Sequence, residues 1–214
     1  MKDQLELFKE CNAPCMVVAE VSGSIQGEVK IPLSKRPILN IDEWKTFYNK
    51  ISEISKYMED SGVPLAYHHH MGTVVQSQED TERLIDNTSD TVKLLIDTGH
   101  MMFAGGDFVK IAKDYSSRLH HVHCKDIRKD VLDMSLKNDL SFIDAFFAGA
   151  FTVPGDGCIN YENFLKILKN FNYKGWLVVE AEQDPKKANP FEYGKIGFNH
   201  LKKIALDCGF EITR

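Results

Sequence analysis

Imidazole and carboxylate side chains recur in pairs two residues apart along this chain: His68 and His70 in YHHHMGT, His121 and His123 in HHVHCKD, Glu180 and Glu182 in WLVVEAEQDP. Asp97 closes a fourth apolar run, KLLIDT, and His100 follows three residues later. Side chains two apart on a strand share a face. Each pair therefore presents two like donors to one side, while His69, Val122, Cys124, Val179 and Ala181 take the other. A single buried histidine is more often a satisfied core residue than a ligand, and one strand-end carboxylate is often a cap or ion-pair partner. Coincidence at four strand ends is what argues for a metal site. Mixed nitrogen and oxygen donors suit Mn, Co, Fe or Zn better than Ca or Mg.

Positioning these groups is a task for strands ending side by side. Short apolar, β-branched runs alternate with segments of helical period, the pattern of an α/β fold with a parallel sheet wrapped by helices. The strands expected are 15–21, 64–69, 93–98, 119–125 and 176–182. Ile41, Trp44, Phe47, Tyr48, Ile51, Ile54 and Met58 repeat at helical spacing, with Asn40 as N-cap and Gly62 as the stop. Further helices are expected near 78–88, around Phe108, Ile111 and Tyr115, over 139–148, from an Asn160 cap through Leu168, and over 191–207. Lys129 to Asp139 reads as a solvated loop, and FAGGD and PGDGC as flexible turns without phosphate-loop spacing. The triple histidine before Met71-Gly72 has the composition of a tag junction, yet it lies mid-chain behind Gly62 and Pro64, so it belongs to the fold.

Composition narrows the function classes. The 214 residues are 43% hydrophobic and 27% charged, enough for one globular domain with a sizeable core. A formal net charge of −5 disfavours a nucleic-acid surface. Five scattered cysteines form no CxxC pair and fit reduced thiols in a cytoplasm. No apolar run approaches the roughly 18 to 20 residues of a membrane span, and the start MKDQLELFKEC has no signal-peptide core.

With Asp97, His100, His123 and Glu180 placed, the chain resembles the xylose-isomerase-like barrel superfamily of sugar isomerases, epimerases and endonuclease IV. LLIDTGHM and HHVHCKD carry the superfamily resemblance. YHHHMGT, FTVPGDG and VEAEQDP are more specific and resemble the branch that dehydrates inosose, 2-keto-myo-inositol, in inositol catabolism. The resemblance implies a TIM (β/α)8 barrel, of which only five strands are found here against roughly 250 residues for a full barrel. The expectation is therefore a single domain over 1–214, N-terminally incomplete, with about five β/α units and the first three lacking.

The resemblance also implies roles. His68, Asp97, His123 and Glu180 become the metal ligands, with His68 replacing the superfamily's usual fifth-strand glutamate and His70 as the alternative. The ion is a divalent metal, Mn or Co first and Zn or Fe next. His100, Lys125 and Glu182 become catalytic, Glu182 as base. Glu20, His70 and Asp156 become substrate contacts. Two plainer alternatives stand beside these: Lys125 pairing with Asp126 or Asp156, and Glu182 only orienting a ligand. The implied enzyme is a hydro-lyase that abstracts the proton α to a ketone and eliminates water from a small polyol or ketose. Its alternatives are a sugar or inosose isomerase or epimerase using the same enolisation, a nuclease with a multi-metal cluster, and a fragment that only binds metal. Nucleic-acid and membrane partners are not expected. Two open sheet edges favour a homo-oligomer.

Overall fold

The computed structural model describes residues 2–213. Helix α1 (Lys2–Glu10) leads to strand β1 (Met16–Val18), and a long connection with one 3-10 turn (Leu33–Lys35) reaches α2 (Ile41–Asp60). Asn40 opens α2 with a capping box: its side chain accepts from the amides of Asp42 and Glu43, and the Glu43 carboxylate returns to the Asn40 amide. Trp44, Ile51 and Met58 form its buried stripe. There follow β2 (Leu65–His68), α3 (Gln78–Asp86), β3 (Val92–Asp97), α4 (Thr98–Phe103), α5 (Phe108–Asp114) and β4 (Leu119–Cys124). The chain continues through β5 (Asp126–Ile127), α6 (Lys129–Lys137), α7 (Phe142–Ala148), β6 (Phe151–Thr152), α8 (Tyr161–Asn170), β7 (Leu177–Val179) and α9 (Pro190–Asp207).

Strands β1, β2, β3, β4 and β7 form one parallel sheet in that order, and β5 pairs antiparallel with β6. Alternation then sorts the side chains. Leu65, Tyr67, Leu94, Ile96, Val122 and Cys124 enter the main core beneath the helices, with Phe164 and Leu165 of α8. Ala66 and Leu95 face the other side with Cys15, directly below the strand ends that carry His68 and Asp97. A second core of Leu33, Met71, Phe103, Leu132, Phe142 and Phe151 gathers the long connection, α6, α7 and the β5–β6 strand pair. It reaches the strand ends: the Phe142 ring lies 5.2 Å from that of His70, and Phe151 lies 5.4 Å from His100. No helix among the described residues is long and apolar enough to cross a membrane.

Several expectations need correction. Lys129 to Asp139 is not a loop: α6 spans Lys129–Lys137, because Leu132 and Ser135 are buried against the second core while the charged residues stay outside. Strands β1, β2 and β7 stop short of the expected ends, so Glu20, His69, His70, Glu180 and Glu182 sit on the segments that leave the strands. The β5–β6 strand pair and α4 were not signalled by periodicity, since two-residue strands and a six-residue helix are too short to show one.

Candidate metal centre

Asp97 ends β3 and N-caps α4, and the two tasks divide its carboxylate. Oδ1 accepts from the His100 amide at 2.9 Å. The Asp97 amide donates to His69 Nε2 at 3.2 Å, so the residue of opposite parity holds the strand end from outside. Oδ2 is left buried without a hydrogen-bond partner. Four further atoms share that condition: His68 Nε2, His123 Nδ1 and Glu180 Oε2 near it, and His69 Nδ1 on the ring that holds the Asp97 amide.

The Asp97, His68, His123 and Glu180 atoms approach one another in successive pairs. His68 Nε2 lies 3.4 Å and His123 Nδ1 3.6 Å from Asp97 Oδ2, and His123 Nδ1 lies 2.8 Å from Glu180 Oε2. The approaches are short without hydrogen-bond geometry. Donors at about 2.1 Å from one shared ion stand about 3.0 to 3.4 Å apart, depending on the coordination angle. Buried polar atoms are normally satisfied, so four orphans converging at this spacing fit a divalent metal. Burial pulls the His123 imidazole down, but the Asp97 and Glu180 carboxylates outweigh it and raise the pKa to about 9. Burial likewise opposes the Asp97 charge, yet Lys125 and the surrounding imidazoles hold its carboxyl well below the usual range. The pocket attracts positive charge.

A second set of groups lies against the first. Lys125 is fully buried, and its Nζ lies 2.9 Å from His100 Nε2 and 2.8 Å from Glu182 Oε2. The same Nζ is 3.3 Å from Asp97 Oδ2 and 3.4 Å from Glu180 Oε2. His70 bonds the Met71 carbonyl through Nδ1 at 2.8 Å, leaving Nε2 3.5 Å from Glu182 Oε1. Burial would neutralise Glu182, but His100, His70 and Lys125 together hold its carboxyl far below the ordinary value. Burial would also deprotonate Lys125, and the three carboxylates reverse that. His100 stays neutral, lowered first by burial and then by Lys125.

The DTGH stretch makes this packing possible. Thr98 Oγ1 donates to the Lys125 carbonyl, accepts from the Lys125 amide, and lies 2.9 Å from the Tyr161 hydroxyl. At Gly99 a Cβ would stand 2.8 Å from Lys125 Cγ, so glycine is what admits the lysine stem. Gly72 has φ of +80°, and a Cβ there would meet the Gln26 backbone at 2.9 Å. The histidine run and the long connection therefore pack through that glycine, tied by Ile25 N donating to the Gly72 carbonyl.

The remaining expected residues are placed elsewhere. Asp156 pairs with Arg128 and accepts from Thr152 at 2.6 Å, with no bond to the cluster. The Glu20 carboxylate accepts from the Ser22 amide and lines a separate cavity of about 470 Å³ with Asn40, Asp42 and Lys50. His121 Nδ1 lies 3.8 Å from Cys15 Sγ, below His123. Asp126 does not pair with Lys125. It accepts from the amides of Ile127, Gly155 and Ile159 and so anchors the PGDGC turn. Thr98, Gly99 and Tyr161 were not singled out from sequence, and Asp126 was named only as a partner for Lys125. Thr98 and Gly99 sit inside the DTGH motif and Asp126 ends HVHCKD, whereas Tyr161 carries no local signal.

Comparison with known proteins agrees with this architecture. The family profile for the xylose isomerase-like TIM barrel matches residues 1–204. A rhizopine catabolism protein, MocC, of Rhizobium meliloti is 43% identical over 209 residues, which is 98% of this chain and 64% of that protein. An inosose dehydratase of Bacillus cereus (strain AH820) is 46% identical over 190 residues, 88% of this chain and 64% of its own. The chain thus spans about two thirds, at 64%, of the length of these relatives. Among solved structures, an IOLI protein with a bound zinc atom superposes with a TM-score of 0.63 at 20% identity, over 97% of this chain and 66% of that one. Five parallel strands bearing polar groups at their carboxyl ends, and a profile match over nearly the whole chain, lead to one conclusion: this chain belongs to the xylose isomerase-like TIM barrel family.

Proposed function

We propose that this chain carries the metal centre and proton-transfer groups of a dehydratase acting on inosose in inositol catabolism. The observation that carries the reading is the quartet of buried, unpartnered donors beside the Lys125–His100–Glu182 cluster. The inosose dehydratase names of relatives at 46% identity supply the substrate. His68, Asp97, His123 and Glu180 would hold a divalent ion, Mn or Co, which when bound would supply Lewis acidity for enolisation of the ketone.

The chain's own groups then move the protons. Glu182 is ionised at neutral pH and takes the proton α to the ketone. Lys125 is protonated and donates to the β-hydroxyl, so that the carbon–oxygen bond breaks and water leaves. Glu182 is then protonated and Lys125 neutral, and the proton returns across their 2.8 Å hydrogen bond, resetting both. His100 orients the pair through its contacts with each. Phe142 and Phe151 wall the His70 and His100 side of the cluster. His70, beside Glu182, is the substrate contact favoured by geometry.

Incubating the Mn-loaded chain with inosose tests this directly. A product lighter by one water supports the dehydratase. A product of unchanged mass identifies an isomerase, and bound metal without turnover identifies a chain that only binds metal.

A further inference from the structure

Three overlapping donor sets meet at these strand ends, and one of them differs from the other two. The ligating atoms of His70, His100 and Glu182 lie within 4.8 Å of one another, as do those of Asp97, His123 and Glu180, and those of His68, Asp97 and His100. The second and third sets hold the orphaned atoms of His68, Asp97, His123 and Glu180, and the first holds none. In the first, Lys125 Nζ already sits 2.8 Å from Glu182 Oε2 and 2.9 Å from His100 Nε2. Resting on the metal reading above, we propose that Lys125 is a built-in cation standing where a second metal ion would otherwise bind, and that it limits the centre to one ion.

The lysine is fastened there. Its stem fills the space over Gly99, and its backbone is held on both sides by Thr98 Oγ1. Charge balance points the same way. Asp97, Glu180 and Glu182 bring three negative charges, which Lys125 and one divalent ion cancel. Two divalent ions together with Lys125 would leave two uncompensated positive charges in a buried site, which is strongly unfavourable. Without the ammonium, a second ion leaves only one, and three ligand side chains are already gathered for it.

Cobalt content after loading with Co(II) and exhaustive dialysis reads the proposal in the 214-residue chain. One ion per native chain is expected, two for Lys125→Ala, and one again when His70→Ala and Glu182→Gln are added to it. One ion in both the native chain and Lys125→Ala overturns this proposal alone, as do two ions in the native chain. No ion in the native chain overturns the metal reading and this proposal with it. Lys125→Met keeps the stem over Gly99 and provides a second reading if the alanine variant does not fold. Its first ion should be held at least about tenfold more tightly, because the ammonium near Asp97 and Glu180 no longer competes for those oxygens. Unchanged or weaker affinity in that variant overturns the proposal.

Discussion

Asp97 and His123 stand directly opposite one another across the β3–β4 ladder because that ladder skips one residue. Leu94 pairs with Leu119, but Leu95 pairs with His121 and Asp97 with His123, so His120 is passed over in an irregularity of the register. Without that extra residue Asp97 would face Val122, and both inward histidines of β4 would turn to the helix side, since a one-residue slip inverts a strand's faces. The Asp97 Oδ2 to His123 Nδ1 separation of 3.6 Å follows from this register.

Removing a ligand should therefore remove the ion. Asp97→Asn, His123→Ala and Glu180→Gln are each expected to lose metal on dialysis, while His121→Ala keeps it. His69→Ala should fall between, weakening affinity by about 10- to 100-fold, because His69 holds the Asp97 amide without touching the ion. Elemental analysis of the variants checks the order. Retention of metal by Asp97→Asn and His123→Ala together would sink the assignment.

The pH dependence of stability should change sign with metal. In the metal-free chain His123 is raised from 6.5 to about 9. Its stabilising contribution is fully present below 6.5 and lost as pH rises through about 9. Metal needs the imidazole neutral, so affinity rises across the same window, by about tenfold per pH unit. The Tm difference between Mn-loaded and metal-free protein is expected to widen steadily from pH 6.5 to 9. A constant difference would remove His123 from the centre.

Glu182→Gln keeps the shape of the side chain but cannot accept the substrate proton. Turnover of inosose should drop by about 10² to 10⁴-fold with one ion still bound. Equal loss of metal and of turnover would instead make Glu182 a ligand.

Gly99→Ala is expected to destabilise the chain, although alanine favours helices. The new methyl meets the Lys125 stem at 2.8 Å, and that stem is held at its backbone by Thr98 and at its tip by Glu182 and His100. Overpacking of this kind costs about 1 to 3 kcal/mol, measurable by urea unfolding. A more stable variant would show that the lysine moves freely.

The two outer strands should drive self-association. Val17 of β1 is exposed, β7 is only half-buried, and Trp176 beside it is 59% exposed. Unpaired strand edges with apolar neighbours seek a partner. Light scattering across a concentration series should show species larger than one chain, and charged substitution of Val17 and Trp176 should reduce them. A monodisperse monomer at high concentration would refute this.

The order of the five strands of the main sheet, and the pairing of His68 with His70, His121 with His123 and Glu180 with Glu182 by parity, were legible in the residues themselves. Alternation along a strand follows from covalent geometry and needs no knowledge of neighbours. The Asn40 cap was legible for the same local reason. What lay outside the sequence's reach depended on contacts between distant segments. The skipped His120 is defined only against β3. Lys125 is a surface residue by type, and becomes fully buried because Gly99, Thr98 and Glu182, from two other segments, close around it. Asp126 turned from a lysine partner into a loop anchor because three amides from its own and a later segment converge on it. Glu20 was drawn toward α2 once β1 ended at Val18, and α6 formed because the second core offered Leu132 a place to be buried. Period and residue type are written along the chain, whereas burial, register and the partner of each charge are set by which segments the folded chain brings within a few ångströms.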